Sequence, residues 1–211
     1  MIHARSTVAA IATLVVATTV SAQVLNGGFE NNTAGASMSN LSNAAYSATV
    51  ADSVAFGPAS ETDLWDSTGF GSMVPESGNW MIGLHRQSNG NTDAVSLALG
   101  TPIVAGQQYT LGFASALHNA NFSSTLDIGI SGSDSAIGTI ILSVSPGSDS
   151  SWTLYSYNFF APANATHLTF SVANVDGYLF VDSVSLVLVP APSAAAPLVG
   201  LGGLVSIRRR R

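Results

Sequence analysis

The chain has 211 residues, with 12 acidic against 6 basic side chains, a net charge of −6 and no cysteine, which excludes disulfides, thiolate metal sites and cysteine nucleophiles. Between residues 23 and 189 Arg86 stands alone against all 12 acids, so this segment carries 1 − 12 = −11 with histidine neutral. Nucleic acid requires clustered Lys and Arg to neutralise phosphates, so it is excluded as a partner, and anionic membrane surfaces are disfavoured for the same reason. Divalent cations and neutral glycans remain compatible with that charge.

In chain order, Arg5 (with His3) precedes an apolar run, Val8 to Val20, and Val20-Ser21-Ala22 places small residues where signal peptidase cuts. Residues 1–22 read as a secretory signal peptide, and the mature chain is expected to begin at Gln23. The alternative is an uncleaved N-terminal anchor. From Gln23 to Val189 no helix is expected. Short runs of Val, Ile, Leu, Thr, Phe and Tyr alternate with Gly, Ser, Asn and Asp, the texture of an all-β sandwich of roughly eight to ten strands.

Val24 to Phe29 reads as a first short strand broken at Gly27-Gly28. Asn31 to Asn43 reads as a loop, and Tyr46 to Phe56 as holding a strand. Gly57 to Ser77 is expected to be a long irregular acidic segment containing Glu61, Asp63, Trp65, Asp66 and Glu76. Strands are expected at Asn79 to Leu84, Ala94 to Leu99, Gln108 to Ser115, around Leu126, Ile128 and Ile130, at Trp152 to Phe160 and at His167 to Ala173. Gly138 to Val144 is more continuously apolar, as for a central or doubly buried strand. The last strand is Tyr178 to Val189.

After it, Pro190 and Pro192 hold the chain extended, Ser193 to Ile207 carry no charge, and Arg208, Arg209, Arg210 and Arg211 end the chain. Arginines closing an apolar run match the positive-inside pattern, although the run falls below the roughly 20 residues of a durable span. This tail, residues 190–211, resembles the PEP-CTERM sorting signal of bacterial exported proteins, with Ala191 where a Glu is usual between the prolines. The resemblance implies an exosortase-type membrane protease as partner, a membrane-inserted C-terminal hydrophobic helix before processing, and a final place at the cell surface or in the extracellular matrix. The alternative is a plain membrane anchor.

In the last strand, strict alternation groups Phe180, Asp182, Val184, Leu186 and Leu188 on one face. A carboxylate there is costly unless paired or ligated. If the terminal strands lie side by side, Glu30 and Asp182 are placed to share a hard cation such as calcium, which takes several oxygen ligands. The alternative is an Asp182 hydrogen-bonded to backbone and a Glu30 facing water.

Asn26-Gly27-Gly28-Phe29-Glu30, Gly106-Gln107-Gln108-Tyr109-Thr110-Leu111, Trp152 before a β-run, and Phe180-Val181-Asp182-Ser183-Val184-Ser185-Leu186 occur in that order. Together they resemble the carbohydrate-binding-module and galactose-binding-like jelly rolls over residues 23–189. The resemblance implies a jelly-roll β-sandwich, a glycan ligand and a structural Ca2+ with Glu30 and Asp182 as side-chain ligands. Ser183 replaces a second Asp found in many relatives.

A sugar's apolar face calls for an aromatic platform, with polar groups for its hydroxyls. The candidates are Trp65, taken as an exposed loop aromatic, with Trp80, His85 and Arg86, and His118 to Phe122 beside them. Trp152 reads as core, and Trp80 has a competing reading as core. Catalysis is not expected. There is no Gly-x-Ser-x-Gly and no His-Glu-x-x-His, and the histidines are scattered. Glu61, Asp63, Asp66 and Glu76 are the candidates for a carboxylate pair of the glycosidase kind, the alternative being solvated or cation-binding loop acids. Three readings follow: a non-catalytic glycan-binding module, a structural or adhesive matrix protein, and a polysaccharide hydrolase.

Overall fold

The computed structural model describes residues 24–70, 73–118, 124–147, 151–173 and 177–190. The signal peptide, Pro192 and the terminal arginines lie outside them. The described residues form a jelly-roll β-sandwich of two antiparallel sheets. One sheet holds β1 (Met38–Leu41), β3 (Thr62–Trp65), β4 (Met81–Arg86), β11 (Gly177–Leu188), β6 (Gln108–Leu117) and β9 (Thr153–Phe160), in that spatial order. The other holds β2 (Ser53–Ala55), β5 (Ala94–Ile103), β10 (Ala165–Val172), β7 (Leu126–Ser131) and β8 (Thr139–Val144). No helix among the described residues is long and apolar enough to cross a membrane.

Alternation builds the interface between the sheets. β6 turns Tyr109, Leu111 and Phe113 inward, and β10 answers with Leu168, Phe170 and Val172. Phe113 meets Phe170 edge-on with ring centroids 6.1 Å apart. Fully burying side chains of this kind contributes about 1.5–3 kcal/mol each, and without disulfides this core is the main source of stability.

Several expected elements differ. Residues 24–29 form a turn rather than a strand, tied to the sandwich by a Val24–Leu99 bridge. Gly27 lies so close to β11 that a Cβ on it would come 1.9 Å from the Val184 carbonyl oxygen. The Val184 N–H donates to the Gly27 carbonyl at 2.9 Å, so the two ends of the domain do meet, through a turn. Tyr46 to Phe56 holds the short strand β2 as expected, but an unexpected short helix, α1 (Asn43–Thr49), overlaps its start. Ser42 caps it, its hydroxyl accepting from the Ala45 N–H at 3.2 Å. β1 lies within the expected loop and β3 within the expected irregular segment. β8 is an edge strand with Ile140 49% exposed, rather than a buried one.

The largest correction concerns β11. Its register shifts between Asp182 and Ser185, and Ser183 adopts φ 54. One extra residue in a strand reverses the side-chain parity beyond it. Val184, Leu186 and Leu188 therefore face the main core with Leu179 and Val181, whereas Phe180 belongs to a second cluster. That cluster joins Met73, Met81, Ala116 and Phe180 with Trp65, Phe70, Trp152 and Tyr178 on the outer face of the six-stranded sheet. Trp152, expected in the core, packs here, and its indole N–H donates to the Val74 carbonyl at 2.9 Å.

Candidate functional site

The outer face of the six-stranded sheet carries a cleft of about 410 Å³. Parity explains its walls. Leu64 points inward from β3, so Asp63 and Trp65 point outward; β4 contributes His85 and β11 contributes Tyr178. Gly83 lies opposite both Asp63 and Phe180, at the centre of the row. A Cβ on Gly83 would stand 2.2 Å from the Tyr178 hydroxyl and 3.1 Å from the Trp65 indole nitrogen. The missing side chain is the space in which Tyr178 and Trp65 meet.

The polar groups form a connected chain. The Trp65 indole N–H donates to the Tyr178 hydroxyl at 2.9 Å, and that hydroxyl donates to Asp63 Oδ2. The Asn40 backbone N–H donates to Asp63 Oδ1 at 2.5 Å, from a residue held at φ 53. Phe70 closes one wall, with ring centroids 4.6 Å from Trp65, 4.8 Å from His118 and 5.7 Å from Tyr178. Glu61 and His85 sit at the rim, Glu61 Oε2 lying 3.9 Å from His85 Nδ1. Ser39 completes the lining.

Asp93 stands behind this rim, fully buried. Its carboxylate accepts the Glu61 and His85 backbone N–H groups, each at 2.9 Å, and so fixes the two rim residues relative to one another. Burial pushes its carboxyl up to about 6, against the lowering effect of those N–H donors. Burial likewise raises Asp63, lowers His118 and, with the neighbouring Asp63 carboxylate, raises Tyr178. Tyr178 therefore stays a neutral donor, and both Asp63 oxygens are occupied.

Of the expected ligand-binding residues, Trp65 and His85 come together in the cleft. Trp65 sits at the end of β3, half-buried, and is not a loop aromatic. Trp80 is partly buried against the main core and does not line the cleft. The Arg86 guanidinium donates to the Ala173 carbonyl and does not line it either. His118 does, while residues 119–122 lie outside the described residues. Sequence reasoning missed Tyr178, Phe70 and Asn40. Tyr178 had a usable signal, since alternation places it on the same face as Phe180 and Asp182.

Glu30 and Asp182 hold one another's neighbourhood through backbone. Asp182 accepts the Ser183 N–H at 2.6 Å and the Ser77 N–H at 3.0 Å. Glu30 Oε1 accepts the Asn79 and Trp80 N–H groups at 2.7 and 2.9 Å. Both carboxylates thus anchor the segment that leads into β4. Among the described residues no three His, Asp or Glu side chains converge on one point; calcium also takes carbonyl oxygens.

No protein-family model and no curated protein matches the sequence. Solved structures do. The K2 cleaved adhesin domain of Lys-gingipain aligns at TM-score 0.51 and 10% identity, covering 78% of this chain and 97% of that one. The CBM22-1 xylan-binding domain from Paenibacillus barcinonensis Xyn10C aligns at TM-score 0.48 and 10% identity, covering 83% and 100%. The enzymatically active domain of bacteriophage CBA120 tailspike protein 4 aligns at TM-score 0.46 and 11% identity, covering 81% of this chain and 22% of that one. The chain thus spans about a fifth of that tailspike structure. The likeness to the adhesin domain agrees with the two-sheet sandwich described above.

Proposed function

We propose that the protein is an exported, non-catalytic glycan-binding module working at the cell surface or in the extracellular matrix. The observation that carries this reading is the cleft on the six-stranded sheet. It sets the rings of Trp65, Phe70 and Tyr178 beside the polar groups of Glu61, His85 and Asn40. Apolar ring faces suit the C–H face of a pyranose, and convergent donors and acceptors suit its hydroxyls. The hydrogen bonds from Trp65 to Tyr178 and from Tyr178 to Asp63 lock the platform before any ligand arrives, which reduces the entropy cost of binding.

The termini support the address. Residues 1–22 act as the secretory signal. Residues 190–211, with Pro190, Pro192 and Arg208 to Arg211, act as a sorting tail that arrests in the membrane and is read by an exosortase-type protease. The test is retention of the full-length chain on a polysaccharide panel. Trp65→Ala should lose at least about tenfold in affinity, about 1.4 kcal/mol, with the fold kept as judged by circular dichroism. Trp65→Phe, which keeps a ring, should lose less. Unchanged retention of a folded Trp65→Ala variant would remove the cleft from the reading.

A structural or adhesive role without a small ligand is the second reading, and one observation favours it. On and beside the edge strands β8 and β9, Ile140, Leu154 and Phe160 are 49%, 69% and 68% exposed. Such a surface suits contact with another macromolecule.

A further inference from the structure

We infer that the cleft selects a glycan bearing free amino groups, bound as ammonium, over its neutral and anionic counterparts. The inference rests on the glycan-binding reading above and names the sugar class. Three observations carry it.

The first is the sign of the charge. Glu61 and Asp63 line the cleft, with Asp93 directly behind them. Arg86 is the only Lys or Arg among the described residues, and its guanidinium is engaged with the Ala173 carbonyl. Of the two histidines in the lining, His118 is held toward its neutral form by burial, and His85 lies beside Glu61. A uronate or a sulfated sugar would meet carboxylates and no fixed cation. The net charge of −11 over residues 23–189 gives the wider field the same sign.

The second is the state of the two carboxylates. Asp63 is fully engaged, accepting from Asn40 and Tyr178. Glu61 is different. Its side chain is 37% exposed, and its carboxylate pairs only loosely, with His85 Nδ1 at 3.9 Å. Its backbone is fixed by Asp93, so the carboxylate is held at the rim while its oxygens remain available to N–H donors. An ammonium group supplies three such donors and a full positive charge.

The third is the aromatic wall. Cations are attracted to ring faces within about 6 Å, most strongly to indole. Trp65 and Phe70 pack with centroids 4.6 Å apart, and Tyr178 lies 5.7 Å from Phe70. An amino sugar presents an apolar face to the rings and a cation to both rings and Glu61. A neutral sugar uses only the first of these interactions.

The test compares a hexamer of β-1,4-linked glucosamine with its fully N-acetylated form, alongside an oligogalacturonate and a panel of neutral polysaccharides. All are titrated calorimetrically into the full-length chain near neutral pH. The amino form should bind at least about tenfold tighter than the acetylated one, and the oligogalacturonate should not bind. Glu61→Gln should remove most of that advantage. Asp134→Asn, an exposed acid between β7 and β8, should leave it intact. Equal or tighter binding of the acetylated hexamer would overturn the inference while leaving the glycan reading standing. An equal loss in Glu61→Gln and Asp134→Asn would overturn it too, by tracing the preference to diffuse charge. Failure of every glycan to bind would sink the glycan reading itself, and this inference with it.

Discussion

Gly83 decides whether the cleft exists in its present form. Any side chain there collides with the Tyr178 hydroxyl, so Gly83→Ala should push the ring aside and break the hydrogen-bonded chain from Trp65 to Asp63. Overpacking of this kind costs typically 1–3 kcal/mol, so about that much stability should be lost on thermal denaturation. Tyr178→Phe tests the same chain without adding volume. It leaves the buried Asp63 oxygen and the Trp65 N–H without their partner, at a cost of about 1–3 kcal/mol.

Asp93 adds a pH signature. Its folded-state carboxyl is raised from 3.8 to about 6, so between those values the folded chain holds more protons than the unfolded one. Its stabilising contribution is fully present below about 3.8 and is lost as pH rises through about 6. Burial shifts Asp63 the same way. The melting temperature should therefore fall from pH 4 to pH 7, with a flatter profile in Asp93→Asn. Parallel profiles for the two proteins would contradict this account.

Elements were legible where both faces of a strand had distinct jobs. Tyr109, Leu111 and Phe113 in β6, and Leu168, Phe170 and Val172 in β10, alternate because one face meets the opposite sheet. β1 exposes three of its four residues, so no alternation marks it. β3 carries Asp63 and Trp65 on its outer face, and in sequence it merges with the acids around it. Helix α1 rests on a cap and a few small residues, too short a stretch to show a period. The parity of β11 was misread because Ser183 sits at positive φ in a bulge, a backbone event that counting by twos does not register. The cleft was accordingly half legible. Trp65 and His85 were found from residue type, whereas Tyr178, Phe70 and Gly83 acquire meaning only when β3, β4 and β11 lie side by side.

Glu30 and Asp182 share one structural task. They hold the 77–80 segment by its N–H groups, so we expect chelator to leave the melting temperature unchanged. Glu30→Ala should lower stability by about 1 kcal/mol by removing its hydrogen bonds to the solvent-accessible Asn79 and Trp80 N–H groups. A melting temperature that falls on chelation and recovers with calcium would place a metal at these residues.

At the scale of the whole molecule, a chain without cysteine relies on the packing between its two sheets. Phe170 is fully buried at that interface, and Phe170→Ala should cost about 3–5 kcal/mol by chemical denaturation. The cleft lies on the other face of the six-stranded sheet, so substitutions at its rim should leave that core intact. This separation lets a rigid sandwich carry a recognition surface without the two requirements competing.

The most direct measurement uses the chain's three tryptophans. Tryptophan emission would be followed while amino and neutral oligosaccharides are titrated into the wild type, Trp65→Phe, Trp80→Phe and Trp152→Phe. A saturable change that survives in the last two variants and vanishes in Trp65→Phe would place the sugar on the cleft platform. A change that persists in Trp65→Phe and vanishes in Trp80→Phe or Trp152→Phe would place it elsewhere and contradict the account.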